Sequence, residues 1–253
     1  MYQNELDLAI KAARAAGSIL RERNDISINS AVGKDLKLSS DKKSEKIIID
    51  ILREGSDYPV LAEESGYIGT QDRCGCRWIV DPLDGTINYY KNMEELTCIS
   101  IALWDETTPV LGVIYRYSMD EMYWGVVGTG AYCNGIAISP SQTRKICDAV
   151  IATGFPTHWD YSIDSLQSFF STVQQFKKVR MLGAAAIMGA FVAIGKVDVY
   201  YEDHIMLWDI AAASAIVIAS GGVARVKLLE NNMCICKLFA NQELMEDFYA
   251  KGL

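Results

Sequence analysis

Basic residues are scarce in this sequence: 24 lysines and arginines stand against 32 aspartates and glutamates, for a net charge of -8. A nucleic-acid-binding surface normally carries a basic stripe, so we expect no nucleic-acid partner. The deficit does not exclude a phosphorylated small molecule, because a bound divalent cation can reverse the local field.

Histidines and cysteine motifs are also sparse. The chain has two histidines, His158 after a predicted loop and His204 before a predicted helix, and we interpret both as surface or structural residues. Its seven cysteines include no CxxC pair, and Cys74 and Cys76 are too close in sequence for an easy mutual disulfide. The odd total favours reduced thiols.

The sequence also lacks a long hydrophobic run. Its longest apolar stretch, Ile210 to Ala219, is too short to span a bilayer. The segment from Met1 to Leu20 predicts an amphipathic helix carrying charges of both signs rather than a cleavable signal. We therefore expect a cytoplasmic protein with no membrane partner.

What the sequence does contain is enough apolar material for a sizeable core. Half of its 253 residues are hydrophobic and 22% are charged, which favours a folded domain over disorder. We expect a single domain spanning 1–253 with two subdomains, roughly 1–138 and 139–253.

Hydrophobic spacing predicts helices interleaved with strands. A first helix runs to about Arg23, and a second opens at 40–45 with Ser40 or Asp41 as its N-cap. Further helices are expected at 162–176, 183–195 and 207–220, the last ended by Gly221 and Gly222. Strands are expected at 59–62, 97–103, 110–117, 122–127, 149–153, 178–181 and 198–201. Those between 97 and 127 should form an antiparallel meander, so the class is mixed α and β.

The most informative stretch is WIVDPLDGT at 78–86. An apolar run typical of a buried strand ends in Asp81 and Asp84, where an unpaired carboxylate is costly. A hard cation makes such a pair tolerable, since magnesium prefers oxygen ligands. Gly85 and Thr86 then offer backbone N–H groups at a predicted helix start, where a phosphate can bind. Metal and phosphate within one turn indicate phosphoryl chemistry.

Acidic residues also follow apolar elements elsewhere: Asp41, Glu63 with Glu64, and Asp209 at the start of an apolar helix. Taken alone, Asp41 is more simply a helix cap and Glu63–Glu64 a solvated loop. Asp209 alone is equally well explained by favourable pairing with the helix dipole. Together with the motif at 78–86, they favour a set of metal ligands presented by rigid elements.

These motifs resemble, in order and spacing, those of the inositol monophosphatase family of magnesium-dependent, lithium-sensitive phosphatases. The match extends over nearly the whole chain and rests on SDKKSE at 40–45, AEES at 62–65, the motif at 78–86, and WDIAAA at 208–213. The resemblance implies an α+β fold, a layered α-β-α-β-α sandwich of the inositol monophosphatase and fructose bisphosphatase type. It also implies assembly as a homodimer.

The resemblance further implies two or three Mg²⁺ ions per subunit. Glu63, Asp81 and the Leu83 backbone carbonyl would hold one ion. Asp81, Asp84 and Asp209 would hold a second, with Asp81 bridging the two. A further, weaker ion would bind near Glu63.

By the same resemblance, Asp41 and Thr86, aided by Glu63, would orient or activate the attacking water. Backbone N–H groups of Gly85 and Thr86 would bind the phosphate. Two metals about 4 Å apart can stabilise the attacking and leaving oxygens together, so no side-chain nucleophile is required.

Substrate choice is implied to lie in the second half of the chain. There Glu202 would hydrogen-bond the hydroxyls of a polyol ring, Gly183 and Ala185 would shape the pocket, and Asp209 would also contact substrate. An ionised carboxylate binds hydroxyls strongly and repels a second phosphate. The predicted function is therefore the release of phosphate from inositol-1-phosphate or a similar polyol or sugar monophosphate.

The segments 88–95 and 30–38 depart from the family pattern, so alternatives stay open. Within the enzyme class they are a 3'(2'),5'-bisphosphate nucleotidase and a fructose-1,6-bisphosphatase. Outside it stands a catalytically silent, metal-binding regulatory protein. That alternative is disfavoured because the chain retains all the predicted ligands and both residues predicted to activate water.

Overall fold

Helices and strands alternate along the chain in the computed structural model, which describes residues 2–24, 26–70, 75–157 and 159–253. The helices are α1 Gln3–Glu22, α2 Ser39–Gly55, α3 Thr86–Tyr90, α4 Ile163–Val173, α5 Ala185–Ala193, α6 Leu207–Ala219 and α7 Gln242–Ala250. The strands are β1 Ile28–Val32, β2 Asp35–Leu38, β3 Val60–Ala62, β4 Gly66–Ile68, β5 Cys76–Asp84, β6 Cys98–Asp105, β7 Thr108–Arg116, β8 Glu121–Val126, β9 Gly130–Cys133, β10 Ile136–Ala137, β11 Val150–Ala152, β12 Lys178–Arg180, β13 Val199–Met206, β14 Val223–Leu228 and β15 Met233–Phe239. The sequence predictions for Met1, Cys74 and His158 lie outside the described residues.

The larger sheet has eight strands in the order β10-β9-β8-β7-β6-β5-β3-β4. Its neighbours pair antiparallel except for β3 and β5, which run parallel. The strands β6, β7 and β8 form consecutive antiparallel pairs, which confirms the predicted meander. The smaller sheet has five strands in the order β12-β11-β13-β15-β14.

Three buried clusters hold five layers together. In the first, α1 and α2 pack on one face of the larger sheet, with Leu6, Leu20 and Ile48 fully enclosed. In the second, α5 and α6 fill the space between the two sheets. In the third, α7 covers the outer face of the smaller sheet through Leu244 and Phe248. The fold is thus the expected layered α-β-α-β-α sandwich of the α+β class.

The central helix α6 ends with the predicted glycines. Gly221 has a φ of 98°, in the left-handed region that favours glycine. Its N–H donates to Ile218 O (3.1 Å), and the Gly222 N–H donates to Val217 O (2.9 Å). These two bonds satisfy carbonyls that the helix end leaves unpaired, which is the pattern of a Schellman motif.

The same helix lies unusually close to strand β7. A Cβ added to Gly112 would lie 2.2 Å from Ala212 O and 2.8 Å from Ala212 Cα, both backbone atoms. On its other side, a Cβ added to Gly189 of α5 would lie 2.4 Å from Ala213 Cβ. Small residues on both neighbours therefore set how closely α6 packs against the larger sheet and against α5 in its own layer.

We expect Gly112→Ala to destabilise the protein by about 3 kcal/mol, because the methyl group can be accommodated only by moving backbone. Urea unfolding would measure the loss. Thr108→Ala, at the exposed end of the same strand, is the control and should change the free energy of unfolding by less than about 0.5 kcal/mol. Equal stability of Gly112→Ala and the wild type would contradict this account of the interlayer spacing.

Several sequence predictions were wrong in detail. The second helix begins at Ser39 after Leu38, so Ser40 and Asp41 lie inside its first turn rather than at the N-cap. Strand β13 continues past the predicted Tyr201 to Met206. The β1–β2 hairpin, β14, β15 and α7 were not predicted. The division into subdomains at residue 138 stays a prediction.

None of the helices in the described part of the chain combines the length and the apolar character that a membrane crossing requires.

Candidate active site

A cavity of about 950 Å³ opens where the end of β5 meets α3, α5, α6 and the bend of β13. The β1–β2 hairpin contributes to its rim. Its walls contain the following residues with a predicted site role: Glu63, Asp81, Leu83, Asp84, Gly85, Thr86, Gly183, Ala185, Glu202 and Asp209. Asp41 is not among the described wall residues and reaches the cavity through Thr86. The fold therefore gathers distant segments of the sequence around one space.

A β-bulge in β5 brings the two aspartates of the central motif to this cavity. In the pairing with β6, Asp81 faces Ser100 and Asp84 faces Cys98, so β5 has one residue more than its partner here. Residues three apart on a regular strand point to opposite faces, and the extra residue cancels that alternation. The Asp81 carboxylate accepts the Leu83 N–H (2.9 Å), which stabilises the bulge.

Helix α2 supports the site from one face. Asp41, Ser44 and Glu45 are spaced i, i+3 and i+4, so they share a face of the helix. The Ser44 hydroxyl donates to Pro82 O in the bulge (2.7 Å). Glu45 accepts the Glu64 N–H (2.7 Å) and also the Ser65 hydroxyl, which holds the turn after Glu63. Sequence reasoning gave Ser44 and Glu45 no role, although their helical spacing from Asp41 was a usable signal.

The carboxylate of Asp84 lies at the start of α5. It accepts the N–H groups of Ala185 (3.2 Å) and Ala186 (2.8 Å) and the thiol of Cys98 (3.6 Å). The residue at the N-cap of α5 is Ala184, whose side chain cannot accept a hydrogen bond. Asp84 therefore caps this helix from a distant part of the chain.

A second bulge brings Glu202 to the cavity. The pairing of β13 with β15 shifts between Glu202 and Ile205, and His204 within the shift has a φ of 59°. Bulges next to a cavity commonly redirect side chains. Glu202 is 5% exposed, and both it and His204 line the cavity. His204 also lies 2.9 Å from Asp203 Oδ1 through its Nδ1.

The Thr86 hydroxyl lies between two acceptors. It is 3.1 Å from Leu83 O and 3.5 Å from Asp41 Oδ1. One hydroxyl proton cannot serve both acceptors fully, so the shorter bond to Leu83 dominates. The second oxygen of Asp41 accepts the Leu38 N–H. A bond rotation at Thr86 would direct its proton to Asp41.

Burial and mutual repulsion raise the pKa of the carboxyls around the cavity. Burial raises the pKa of Asp41 to about 7 and that of Asp84 to about 6. Burial, with the charge of Glu64, raises the pKa of Glu63 to about 8. For Asp81 the pKa is well above its usual range because of burial and the charges of Glu63, Asp84 and Asp209.

The pKa values of Glu202 and Asp209, which also line the cavity, are raised in the same way. Burial, followed by the charge of Asp84, raises the pKa of Glu202 to about 8 and that of Asp209 well above its usual range. The Lys37 ammonium lies 3.0 Å from Glu64 Oε1 and partly offsets the rise at Glu63 and Asp41. The site is thus rich in carboxyl groups that are costly to ionise.

The donor set suits a hard divalent cation. Carboxylate and carbonyl oxygens are the ligands that Mg²⁺ prefers, and a dication would relieve the repulsion that raises these pKa values. Within the described residues, no three His, Cys, Asp or Glu side chains form a ready-made ligand cluster. The donors therefore share a cavity, and the fit to a metal rests on their chemistry and charge.

The model of the inositol monophosphatase family matches residues 1–227 of this chain. An inositol-1-monophosphatase of Synechocystis sp. is 34% identical over 227 residues, which cover 87% of this chain and 78% of that protein. A protein of Pasteurella multocida named Nus factor SuhB is 32% identical over 224 residues, with 86% and 83% covered.

Solved structures agree with this match. The inositol monophosphatase of Anabaena (Nostoc) sp. has a TM-score of 0.83 and 31% identity to this chain, covering 98% of it and 94% of that structure. The similarity therefore extends across every layer of the fold.

Proposed function

Because the chain belongs to the inositol monophosphatase family, we propose that it is a Mg²⁺-dependent phosphomonoester hydrolase acting on inositol-1-phosphate or a similar polyol or sugar monophosphate. The observation that carries the proposal is that the predicted metal ligands, the Gly85–Thr86 turn and Glu202 line one cavity. Phosphate-ester hydrolysis is extremely slow without catalysis, and its barrier is largely electrostatic.

In this proposal, Glu63, Asp81 and Leu83 O would hold one Mg²⁺, and Asp81, Asp84 and Asp209 would hold a second. Two or three ions would bind per subunit. Bound Mg²⁺ supplies Lewis-acid polarisation of the phosphate and a lowered pKa for water. The chain's own contribution is to keep five oxygen donors fixed on three rigid segments.

Asp41 and Thr86 are proposed to act on the attacking water. With a pKa of about 7, Asp41 can accept a proton near neutral pH. The Thr86 hydroxyl lies 3.5 Å from Asp41 Oδ1. It would accept a hydrogen bond from the water and donate its own hydrogen bond to Asp41. Glu63 would assist from the other side, while the N–H groups of Gly85 and Thr86 hold the phosphate.

Glu202 is proposed to select the alcohol. It lines the same cavity as the predicted metal ligands, beside Gly154, where a Cβ would lie 2.7 Å from Glu202 Oε1. Gly183 and Ala185 form the adjoining wall, and Asp209 is the nearest predicted metal ligand in the sequence. Mg²⁺ held by Asp84 and Asp209 would offset the Asp84 charge that helps to raise the pKa of Glu202 and so favour its ionised form. The ionised carboxylate would accept hydrogen bonds from vicinal hydroxyls and disfavour substrates that carry a second phosphate.

We expect Glu202→Gln to raise the KM for inositol-1-phosphate roughly 10-fold, because a charge-assisted hydrogen bond is replaced by a neutral one. Hydrolysis of a small aryl phosphate, which has no ring hydroxyls, should change less than about 2-fold. Steady-state kinetics on both substrates measure the difference. Glu230→Gln, at an exposed position of the same half of the chain, is the matched control. Equal losses on the two substrates would remove Glu202 from substrate binding.

The whole proposal is tested by phosphate release from a panel of polyol, sugar and nucleotide phosphates at fixed Mg²⁺. Turnover should be greatest with polyol or sugar monophosphates and should stop when a chelator is added or in Asp84→Asn. Activity that persists unchanged in either condition would overturn the metal mechanism. Far higher turnover of 3'-phosphoadenosine 5'-phosphate or of fructose 1,6-bisphosphate would favour the nucleotidase or bisphosphatase alternative.

A regulatory role is a second candidate, supported by the relatives named Nus factor SuhB. In that case the acidic cavity would bind a cation without turnover. Mg²⁺ binding measured by calorimetry, together with no phosphate release across the panel, would favour this candidate over catalysis.

We also propose a homodimer in the cytoplasm, inhibited by lithium, with small phosphorylated molecules as substrates and no nucleic-acid or membrane partner. Sedimentation would report the oligomeric state, and phosphate release in the presence of Li⁺ would report the inhibition.

A further inference from the structure

Asn88 makes an unusual number of contacts for one amide group. It lies on α3, two residues after Thr86, and is 9% exposed. Its Nδ2 lies 2.8 Å from Leu182 O, 3.0 Å from Leu96 O and 3.3 Å from Gly183 O. An amide group carries two protons, so Asn88 donates one hydrogen bond to each of the two closer carbonyls, those of Leu182 and Leu96. The longer contact, to Gly183 O, shares one of these protons.

These carbonyls belong to segments that meet at the cavity. Leu182 and Gly183 form the turn that leads into α5, whose first N–H groups bind the Asp84 carboxylate. Leu96 O lies against the phosphate turn, since a Cβ added to Gly85 would be 2.8 Å from it. One side chain therefore connects the α3 turn with the start of α5.

The geometry leaves little room for the two turns to move independently. Gly183 has a φ of 72°, and a Cβ added there would lie 3.3 Å from both polar atoms of the Asn88 amide. Gly85 has a φ of 87°, and its added Cβ would lie 3.3 Å from Ala184 Cβ. The amide thus fills the narrow space between two left-handed turns, and it donates to the carbonyls that face it.

We propose that Asn88 is a positioning residue for the metal-binding carboxylate of Asp84. By holding the Leu182–Gly183 turn, it fixes the first N–H groups of α5, and these in turn fix both oxygens of Asp84. The same contact sets the Gly183–Ala185 wall of the cavity. The inference rests on the proposed function, since it assigns Asp84 to a divalent cation. Asn88 also lines the cavity, but its proposed effect on the cation is indirect, through the start of α5 and Asp84.

The test is Mg²⁺ binding by calorimetry, without substrate, to the full chain and to Asn88→Asp. The variant has nearly the same shape, but a carboxyl group has at most one proton to donate to these carbonyls, and none when ionised, whereas the amide has two. We expect Mg²⁺ affinity to fall about 10-fold, within the range found when groups that orient a metal ligand are removed. The added negative charge by itself would strengthen cation binding, so a loss reports geometry rather than charge.

The matched control is Asn134→Asp. The Asn134 amide also donates to a backbone carbonyl, Asp120 O at 2.9 Å, in an exposed turn away from the cavity. We expect its Mg²⁺ affinity to equal that of the wild type. Asn88→Ser keeps one hydroxyl donor in a smaller side chain and should give an intermediate loss, which also covers the case in which Asn88→Asp fails to fold.

Kinetics give a second measurement. For Asn88→Asp, the Mg²⁺ concentration for half-maximal phosphate release should rise about 10-fold, while kcat at saturating Mg²⁺ falls much less. Unchanged Mg²⁺ affinity in folded Asn88→Asp and Asn88→Ser would overturn the inference alone. A wild-type chain that binds no Mg²⁺ would overturn it together with the metal mechanism. A wild type that binds Mg²⁺ but hydrolyses nothing would remove only the proposed activity.

Discussion

Asp81→Asn is expected to lower Mg²⁺-dependent phosphate release roughly 1,000-fold while making the metal-free protein more stable. Asparagine keeps the shape of the side chain and an oxygen to accept the Leu83 N–H (2.9 Å in the wild type). It removes a charge that lies among Glu63, Asp84 and Asp209, whose charges raise the pKa of Asp81. Loss of one preorganised electrostatic group commonly costs 100- to 1,000-fold in rate.

Opposite changes in activity and stability distinguish a functional charge from a structural one. Thermal unfolding in chelator should show a higher Tm for Asp81→Asn than for the wild type, and Mg²⁺ should raise its Tm less. Asp50→Asn, at an exposed position of α2, is the control and should alter neither quantity. A metal-free Asp81→Asn that is less stable than the wild type would show that this carboxylate serves the fold.

The metal-free protein is expected to lose stability as the pH rises from about 5 to about 8. Asp41, Glu63, Asp84 and Glu202 have folded-state pKa values of about 7, 8, 6 and 8. In the unfolded chain these groups ionise near pH 4. Between the two values the folded state binds more protons than the unfolded state, so the free energy of unfolding falls as the pH rises.

Each unit of pKa shift corresponds to about 1.4 kcal/mol. A combined loss of only about 4 kcal/mol would lower the Tm by roughly 10 °C, so a fall of at least that size is expected across this window. Saturating Mg²⁺ should remove most of the fall, because the cation binds the ionised carboxylates and its affinity rises with pH. Scanning calorimetry in chelator and in Mg²⁺ would measure both. Glu202→Gln should flatten the chelator profile in part. A Tm that is constant or rises between pH 5 and 8 in chelator would contradict the prediction.

Most residues that line the cavity with a proposed role could be named from the sequence, whereas the contacts that hold them there could not. Asp81 and Asp84 stood out because carboxylates at the end of a buried strand are costly and need an explanation. The sequence did not show that a bulge turns both to one cavity, since the register of β5 depends on its pairing with β6. The placement of Asp41 at the N-cap was wrong because residue type does not distinguish an acid at the N-cap from one at N3, where Asp41 lies and accepts the N–H of the N-cap residue Leu38.

The elements that were missed have a common physical cause. The β1–β2 hairpin pairs only within itself in the described sheets, and exposed residues on β1 leave no alternation of apolar and polar positions to detect. Strand β14 lies at the edge of the smaller sheet, where half-buried residues blur the period. Its neighbour β15 alternates buried and half-buried positions, but all its residues except Lys237 are apolar, so the sequence shows no alternation. Asn88 was noticed only as part of a departure from the family pattern, because its importance arises from tertiary contacts, above all with Leu182, 94 residues away.

The bulge in β5 has a consequence for how this protein can change over evolution. Because one extra residue between Asp81 and Asp84 turns both carboxylates to the same side, the function depends on the length of this strand as well as on the two side chains. Pro82 and Leu83 could be exchanged for other residues with graded losses. Deleting either one would turn Asp84 away from the cavity and leave α5 uncapped in a single step. Alignments of related chains should therefore show substitutions in this segment but no change in its length.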